Sequence, residues 1–192
     1  MKKPSNAPRI LGGEFKGRAI TTPPGRDTRP LRVLARRSLF DKLGHDLDGA
    51  RVLDLFAGAG TVGLEAVSRG ARRAVLVDMG APAQRALRET VETFGIHERV
   101  VLERRNALDY VTRCEPGSFD FIFLGPPYPL YKGEKRKGLT AIFERLARLL
   151  DGGGVLVLES PAQSERPAVP GLSLMESRSY GDTLLNFFHH LD

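Results

Sequence analysis

One cysteine, Cys114, stands among 192 residues, which excludes an intrachain disulfide and any cysteine-based zinc cluster. Long apolar runs are missing as well. No stretch reaches the roughly 18 residues that a membrane-spanning helix needs. The polar start Met1-Lys2-Lys3-Pro4-Ser5-Asn6 leads into no apolar segment of the secretory kind. A cytoplasmic location is therefore expected. Histidines are few and scattered: His45 and His97 fall in expected loops, and His189 and His190 share one strand without a catalytic partner. No metal site is expected, and no internal repeat or low-complexity segment is evident.

Acidic residues are scarce where basic ones crowd. Residues 1–43 carry 11 basic and 3 acidic side chains, a charge of +8 in a chain whose total is +6. Such asymmetry points to a polyanion bound by the N-terminal part. Arg9, Lys16, Arg18, Arg29, Arg36 and Arg37 are the candidate contacts. A chain of this length suits one domain with a small appendage, and it can bury a core without metal or disulfide help.

The pattern divides near residue 45. Residues 9–21 hold two short β-like runs around Gly12-Gly13 and Lys16-Gly17 and are expected to form a hairpin. Residues 22–30 are rich in turn formers. Leu31–Leu43 carries apolar residues at three- and four-residue steps, which predicts a helix. Residues 1–45 thus form a basic extension, and 46–192 a second unit. There, strand candidates Arg51–Leu55, Ala74–Asp78, Arg99–Glu103, Phe119–Leu124 and Val155–Glu159 alternate with helical candidates Thr61–Arg69, Ala81–Phe94, Ala107–Arg113 and Leu139–Leu150. This alternation predicts an α/β fold with a parallel sheet. Leu172–Tyr180 and Thr183–His190, separated by Gly181-Asp182, predict a closing antiparallel hairpin and bring the count to seven strands.

Two segments carry chemistry. Gly58-Ala59-Gly60-Thr61-Val62-Gly63 follows the first strand and matches G-x-G-x-x-G, with Asp78 at the end of the second strand. That spacing fits a dinucleotide or S-adenosylmethionine. Asp54 discriminates: a carboxylate four residues before Gly58 repels a pyrophosphate at the turn but favours an ammonium or sulfonium. Alternatively, Asp54 caps the turn and the glycines serve packing. The second segment is Gly125-Pro126-Pro127-Tyr128 after an apolar strand. Two prolines cannot continue a ladder, so the chain leaves the sheet stiffly at the carboxyl end of the strand, where open α/β sheets bind ligands. Beyond it, the basic stretch 130–138, with Lys132, Lys135, Arg136 and Lys137, is expected to be a phosphate-gripping loop.

Gly125-Pro126-Pro127-Tyr128 resembles the (Asp/Asn/Ser)-Pro-Pro-(Tyr/Phe) motif of methyltransferases that act on exocyclic amines, and Asp54-Leu55-Phe56-Ala57-Gly58-Ala59-Gly60 resembles the class I methyltransferase loop Asp-x-Phe-x-Gly-x-Gly. Arg9–Arg18, Thr28-Arg29-Pro30 with the helix containing Leu39-Phe40, and Arg178–Thr183 extend the likeness to nearly the whole chain. Together they resemble the RsmD family, which methylates guanine N2 in 16S ribosomal RNA. The resemblance implies a class I methyltransferase domain over 46–192, with a Rossmann-like, mostly parallel seven-stranded sheet, and an RNA-binding extension over 1–45. It implies a monomer acting on 16S rRNA or the assembling small subunit, with S-adenosylmethionine as donor and S-adenosylhomocysteine as product. The implied donor contacts are Asp54, Phe56, Gly58, Gly60, Asp78 and Met79, with Asn106 and Ala107 at the adenine. Asn106 equally suits a helix N-cap. Gly125, Pro126, Pro127 and Tyr128 form the implied catalytic segment, with Tyr128 stacking on the base and a proline carbonyl accepting an amine hydrogen.

Three departures stand out. Gly125 takes the place of the usual acidic residue. The helix after Pro30 reads Leu31-Arg32-Val33-Leu34-Ala35-Arg36-Arg37-Ser38, where the family has Thr and an Arg-Glu pair. Thr90 replaces a frequent Asn. The first departure predicts a slow enzyme or a binding protein without turnover. Asp120 lies too far back on the strand to substitute, which leaves a water or, less favoured, Glu159.

Overall fold

The computed structural model describes residues 7–24, 33–44 and 47–191. Seven strands form one sheet in the order β3-β2-β1-β4-β5-β7-β6. They are β1 (Arg51–Leu55), β2 (Arg73–Val77), β3 (Val100–Glu103), β4 (Phe119–Leu124), β5 (Leu150–Pro161), β6 (Leu172–Tyr180) and β7 (Thr183–His190). The first five run parallel, while β7 pairs antiparallel with both β5 and β6. This is the expected α/β sheet, and the hairpin β6–β7 closes it.

Side-chain alternation divides the core in two. Val52, Phe121, Phe123 and Val157 face one layer with α1 (Val33–Leu43), α2 (Thr61–Ser68) and α3 (Ala81–Phe94). Leu53, Leu55, Ile122, Leu124 and Leu158 face the other with α4 (Ala107–Val111) and α5 (Lys135–Leu149). Central strands buried on both faces need apolar residues at every position, which is why Phe119–Leu124 reads as a nearly unbroken apolar run. None of the helices among the described residues is long and apolar enough to cross a membrane.

The N-terminal part differs from expectation. The predicted hairpin is short: one antiparallel bridge, Arg9 to Ala19, with the Ile10 N–H donating to the Arg18 carbonyl (3.0 Å) and the Ile20 N–H to the Pro8 carbonyl (2.8 Å). The backbone near its turn bonds to α2. Leu11 N–H donates to Glu65 Oε2 (2.7 Å), Glu14 N–H to the Ser68 carbonyl (2.7 Å) and Phe15 N–H to Ser68 Oγ (2.9 Å), while Ser68 Oγ donates to the Gly12 carbonyl (2.6 Å). The segment is thus bonded along α2 as well as to itself. Gly13 permits this approach, since a β-carbon there would lie 1.8 Å from the Ser68 carbonyl oxygen. Ile10, Phe15, Ile20, Ala35, Leu39 and Phe40 enter the same core as the sheet. The extension and the sheet therefore share one interior across the boundary read at residue 45.

One helix and one strand also start before their expected places. The predicted Leu139–Leu150 helix begins earlier, at Lys135, and the chain before it forms a 3-10 turn over Tyr128–Tyr131. β5 begins earlier too, pairing Leu150 with Phe119 before a bulge and the main ladder from Val155.

Candidate active site

The order of strands reverses between β1 and β4, and both strands end there in special backbone. Phe56, just past β1, has φ 61, a left-handed conformation that non-glycine residues seldom adopt. Gly58 and Gly60 follow at φ 57 and 71. The Gly125 N–H donates to the Leu55 carbonyl (3.2 Å), and the Ala57 N–H to the Val77 carbonyl (3.0 Å). The carboxyl ends of β2, β1 and β4 are thereby stitched into one rim.

Alternation then decides which side chains meet. Ala74 and Leu76 on β2, Val52 on β1, Phe123 on β4 and Val157 on β5 all face the α1–α3 layer. Stepping two residues along each strand places Asp78, Asp54, Gly125 and Glu159 on that same side. Their carboxylates are not equivalent. Asp78 is half-buried, and its Oδ2 accepts from the Gly58 N–H (2.9 Å) while Oδ1 accepts from the Gly80 N–H (2.8 Å). A carboxylate has about four lone-pair sites, so two remain for a pair of hydroxyls. Asp54 is buried beneath the loop and accepts the Gly63 N–H (2.9 Å) at the start of α2. Its observed contact is the capping one. Burial pushes its carboxyl up to about 7 against that hydrogen bond, and the negative charges of Asp78 and Glu159 act in the same direction. Burial likewise raises Glu159 to about 7. Three mutually repelling carboxyl groups favour a cation above the glycine turn and disfavour a pyrophosphate.

The glycines divide the labour. A β-carbon at Gly60 would lie 2.5 Å from Leu87 and 2.7 Å from Leu76, so this glycine exists for packing. At Gly58 the same atom would find only the Phe56 carbonyl oxygen, at 4.0 Å, so the loop presents open space there. Beside it, Met79 is 65% exposed despite its apolar side chain. Asn106 accepts the Leu108 N–H (2.8 Å) and caps α4, with Ala107 buried behind it. Gln84, which the sequence did not single out, donates from Nε2 to the carbonyls of Asp78 (2.9 Å) and Glu103 (3.0 Å), tying the ends of β2 and β3.

After β4 the chain turns at Pro126, which is buried, and Pro127, which is exposed. Tyr128 opens the 3-10 turn. Its hydroxyl bonds Thr183 Oγ1 (2.6 Å) and lies 3.4 Å from Glu159 Oε1. The ring is half-buried and belongs to neither core cluster. Tyr131 anchors the other end of the turn by donating to the Glu159 carbonyl (2.5 Å). Asp120 sits at the far end of β4 in a bidentate pair with Arg51 (2.6 and 3.0 Å) and is remote from this rim.

The basic candidates sort by exposure. Lys16, Arg37, Lys132, Lys135, Arg136 and Lys137 are exposed, as is Arg9, which donates to the Gly17 carbonyl. Arg18 stacks over Phe94 (4.2 Å to the ring centre) and bonds the Thr93 carbonyl. Arg36 corrects the expectation of a surface contact. It is 1% exposed, donates to the Arg9 carbonyl and lies 4.0 Å from buried Glu65, which also pairs with Arg69. Its cation serves an interior ion pair. Arg29 and the Thr28-Arg29-Pro30 motif lie outside the described residues. Lys135, Arg136 and Lys137 form the first turn of α5 instead of a loop, so three cations stand at the positive end of a helix dipole. An open groove at the amino ends of β1 and β2, lined by Arg51, Arg72 and Arg73, contains none of the site residues.

Two late features explain parts of the sequence motif. Arg178 and Tyr180 both bond Ser38 Oγ on α1, fastening β6 to the N-terminal helix. Thr90, in the place of a frequent Asn, accepts the Thr21 N–H (3.0 Å) and pins the N-terminal segment to α3.

Comparison with known proteins agrees with this architecture. Residues 8–189 match the family described as conserved hypothetical protein 95. The putative rRNA methyltransferase YlbH of Bacillus subtilis is 33% identical over 91% of this chain and 95% of its own. Ribosomal RNA small subunit methyltransferase D of Escherichia coli K12 is 31% identical over 88% and 85% of the two chains. Among solved structures, the putative methyltransferase yhhF of Escherichia coli superposes with a TM-score of 0.81 at 25% identity, covering 97% of this chain and 99% of that one. A hypothetical protein of Thermus thermophilus gives 0.73 at 32% identity, covering 95% and 99%. The chain belongs to the family of RsmD-like class I methyltransferases.

Proposed function

We propose that the protein transfers a methyl group from S-adenosylmethionine to the exocyclic N2 of a guanine in small-subunit ribosomal RNA. The observation that carries this reading is the Pro-Pro-Tyr turn, placed one strand away from an open glycine loop with half-exposed Asp78 beside it. The names of the relatives, methyltransferases of ribosomal RNA, support the substrate.

The residues present fit the donor. Gly58 leaves room for a backbone approach, Asp78 keeps lone pairs for ribose hydroxyls, and exposed Met79 and Asn106 offer a surface for an adenine. The buried carboxyl groups favour its positive charge. When bound, it supplies an electrophilic methyl on sulfur. The protein then needs positioning and desolvation more than a strong base, and positioning alone contributes on the order of 7–11 kcal/mol in favourable cases. The Pro126 or Gly125 carbonyl accepts one amine hydrogen. Tyr128, its hydroxyl held by Thr183, stacks on the extruded base, an interaction worth about 1–3 kcal/mol.

The RNA backbone is gripped by exposed cations near the rim, Arg9 and Arg37 from the extension and Lys132, Lys135, Arg136 and Lys137 beyond Tyr128, while Lys16 and Arg18 stand farther off, beside the carboxyl ends of α2 and α3. Gly125 favours a second reading, a donor- and RNA-binding protein without turnover. Labelled methyl transfer to unmethylated small subunits separates the two: incorporation supports the enzyme, and binding without incorporation supports the second reading.

A further inference from the structure

Gly125 lacks a side chain, but the space it leaves is not without a carboxylate. Leu124 pairs with Leu158 in the parallel β4–β5 ladder, so the next residues, Gly125 and Glu159, are neighbours across adjacent strands. Their β-carbon directions coincide, toward the α1–α3 layer. A β-carbon at Gly125 would lie 3.5 Å from Glu159 Oε2. The Glu159 carboxyl therefore occupies the region that a short acidic side chain at 125 would enter.

We propose that Glu159 supplies from β5 the carboxylate that the Pro-Pro-Tyr motif lacks on β4, accepting a hydrogen bond from the target amine and its proton after transfer. This rests on the reading of the chain as an amino-methyltransferase. In the step, the nitrogen lone pair forms the N–C bond, the S–C bond breaks with its electrons kept by sulfur, and the proton left on nitrogen passes to Glu159. The neutral acid then returns it to solvent.

The surroundings suit the role. Glu159 is half-buried and makes no ion pair among the described residues. Among the described residues, the groups that face it are Tyr128 and Tyr131 from the 3-10 turn, Asp54 from β1, and Asp182 beyond the Tyr128 hydroxyl. None is a cation. Burial holds its carboxyl at about 7, where it is both an acceptor and a competent base at neutral pH. The same position explains why Gly125 suits this site. Phe123 has closed over the missing side chain, with Cε1 2.9 Å from where a β-carbon would stand. A second carboxylate there would also repel Glu159.

The test moves the carboxylate between strands. Single-turnover transfer to unmethylated small subunits is measured for wild type, Glu159→Gln, Gly125→Asp/Glu159→Gln and Gly125→Ala/Glu159→Gln. Glu159→Gln should slow transfer about 10²–10³-fold, by analogy with the loss of one preorganised polar group. Gly125→Asp should restore at least about tenfold of that, while Gly125→Ala, with the same crowding of Phe123, should restore nothing. A second arm needs no RNA. Sinefungin, a donor analogue with an amine in place of the methylated sulfonium, and S-adenosylhomocysteine are titrated by calorimetry. Glu159→Gln should weaken sinefungin about tenfold, as expected for a charge-assisted hydrogen bond, and leave the other ligand unchanged.

Transfer by Glu159→Gln at nearly the wild-type rate, rescue by Gly125→Ala as good as by Gly125→Asp, or equal loss of both ligands would overturn the proposal. A wild type that binds both ligands yet methylates no subunit defeats the functional reading alone, and the sinefungin arm still decides Glu159. A wild type that binds neither ligand defeats both.

Discussion

Gly58 and Gly60 both sit at positive φ, yet a β-carbon would meet open space at the first and leucine side chains at the second. Gly60→Ala should therefore lose stability twice, through left-handed strain of about 1–2 kcal/mol and overpacking of about 1–3 kcal/mol. Gly58→Ala should lose only the first amount but weaken S-adenosylmethionine, whose space it enters. Urea unfolding and calorimetry on the two variants check this; equal effects of both on both properties would contradict it. Asp54 and Glu159 carry a second consequence. Both carboxyls stand near 7 in the folded protein, above the ordinary carboxylate range of about 4 in the unfolded chain. Between those values the folded state holds more protons, so its stability falls as pH rises. The protein without ligand should melt at higher temperature at pH 6 than at pH 8, and Asp54→Asn with Glu159→Gln should flatten the difference. A melting temperature that rises from pH 6 to pH 8 would contradict this assignment. At this scale the sequence placed Asp78 and Tyr128 at the rim, because strand ends and proline pairs are local signals. It misplaced Arg36, because the helical stripe that marks a buried face does not say that a cation on it has a buried Glu65 waiting.

Apart from β5, which runs longer than expected at its start, the strands have bounds close to those expected, since apolar runs bounded by glycine and polar residues are strong patterns. The N-terminal hairpin is shorter than expected, because β-like residues do not reveal that the backbone near the turn will bond to α2. The start of α5 was missed for another reason. Its first turn is polar, flanked by Gly133 and Gly138, and shows no apolar period. That turn also works against the helix. Three cations at a helix N-terminus cost about 0.3–1 kcal/mol each at low salt. Replacing Lys135, Arg136 and Lys137 by Gln should raise the melting temperature and weaken RNA binding. The slope of log affinity against log salt should shrink by about 2–3. An unchanged slope would remove this turn from the RNA interface. Glu159 was visible in the sequence as the end of the fifth strand, but its neighbour was not. Only the register of β4 against β5 shows that it stands beside Gly125.

Across the whole molecule, charge is divided by depth. Carboxyl groups gather at the rim of the sheet, where they suit a cationic donor; the exposed cations of α5 follow the turn after β4, and Lys16 and Arg18 of the extension lie by the carboxyl ends of α2 and α3, where they suit a polyanion. One core joins the extension to the sheet, through Ile10, Phe15 and Phe40 on one side and Phe121 and Phe123 on the other. The cations proposed to meet RNA and the rim proposed to transfer the methyl group therefore share one packed body, which is what positioning without a strong base demands. The direct measurement is transfer of labelled methyl from S-adenosylmethionine to small ribosomal subunits from cells lacking this protein, followed by nucleoside analysis. The label should appear in N2-methylguanosine. Donor binding with no label in the RNA, or label on a ribose or a ring carbon, would contradict the account.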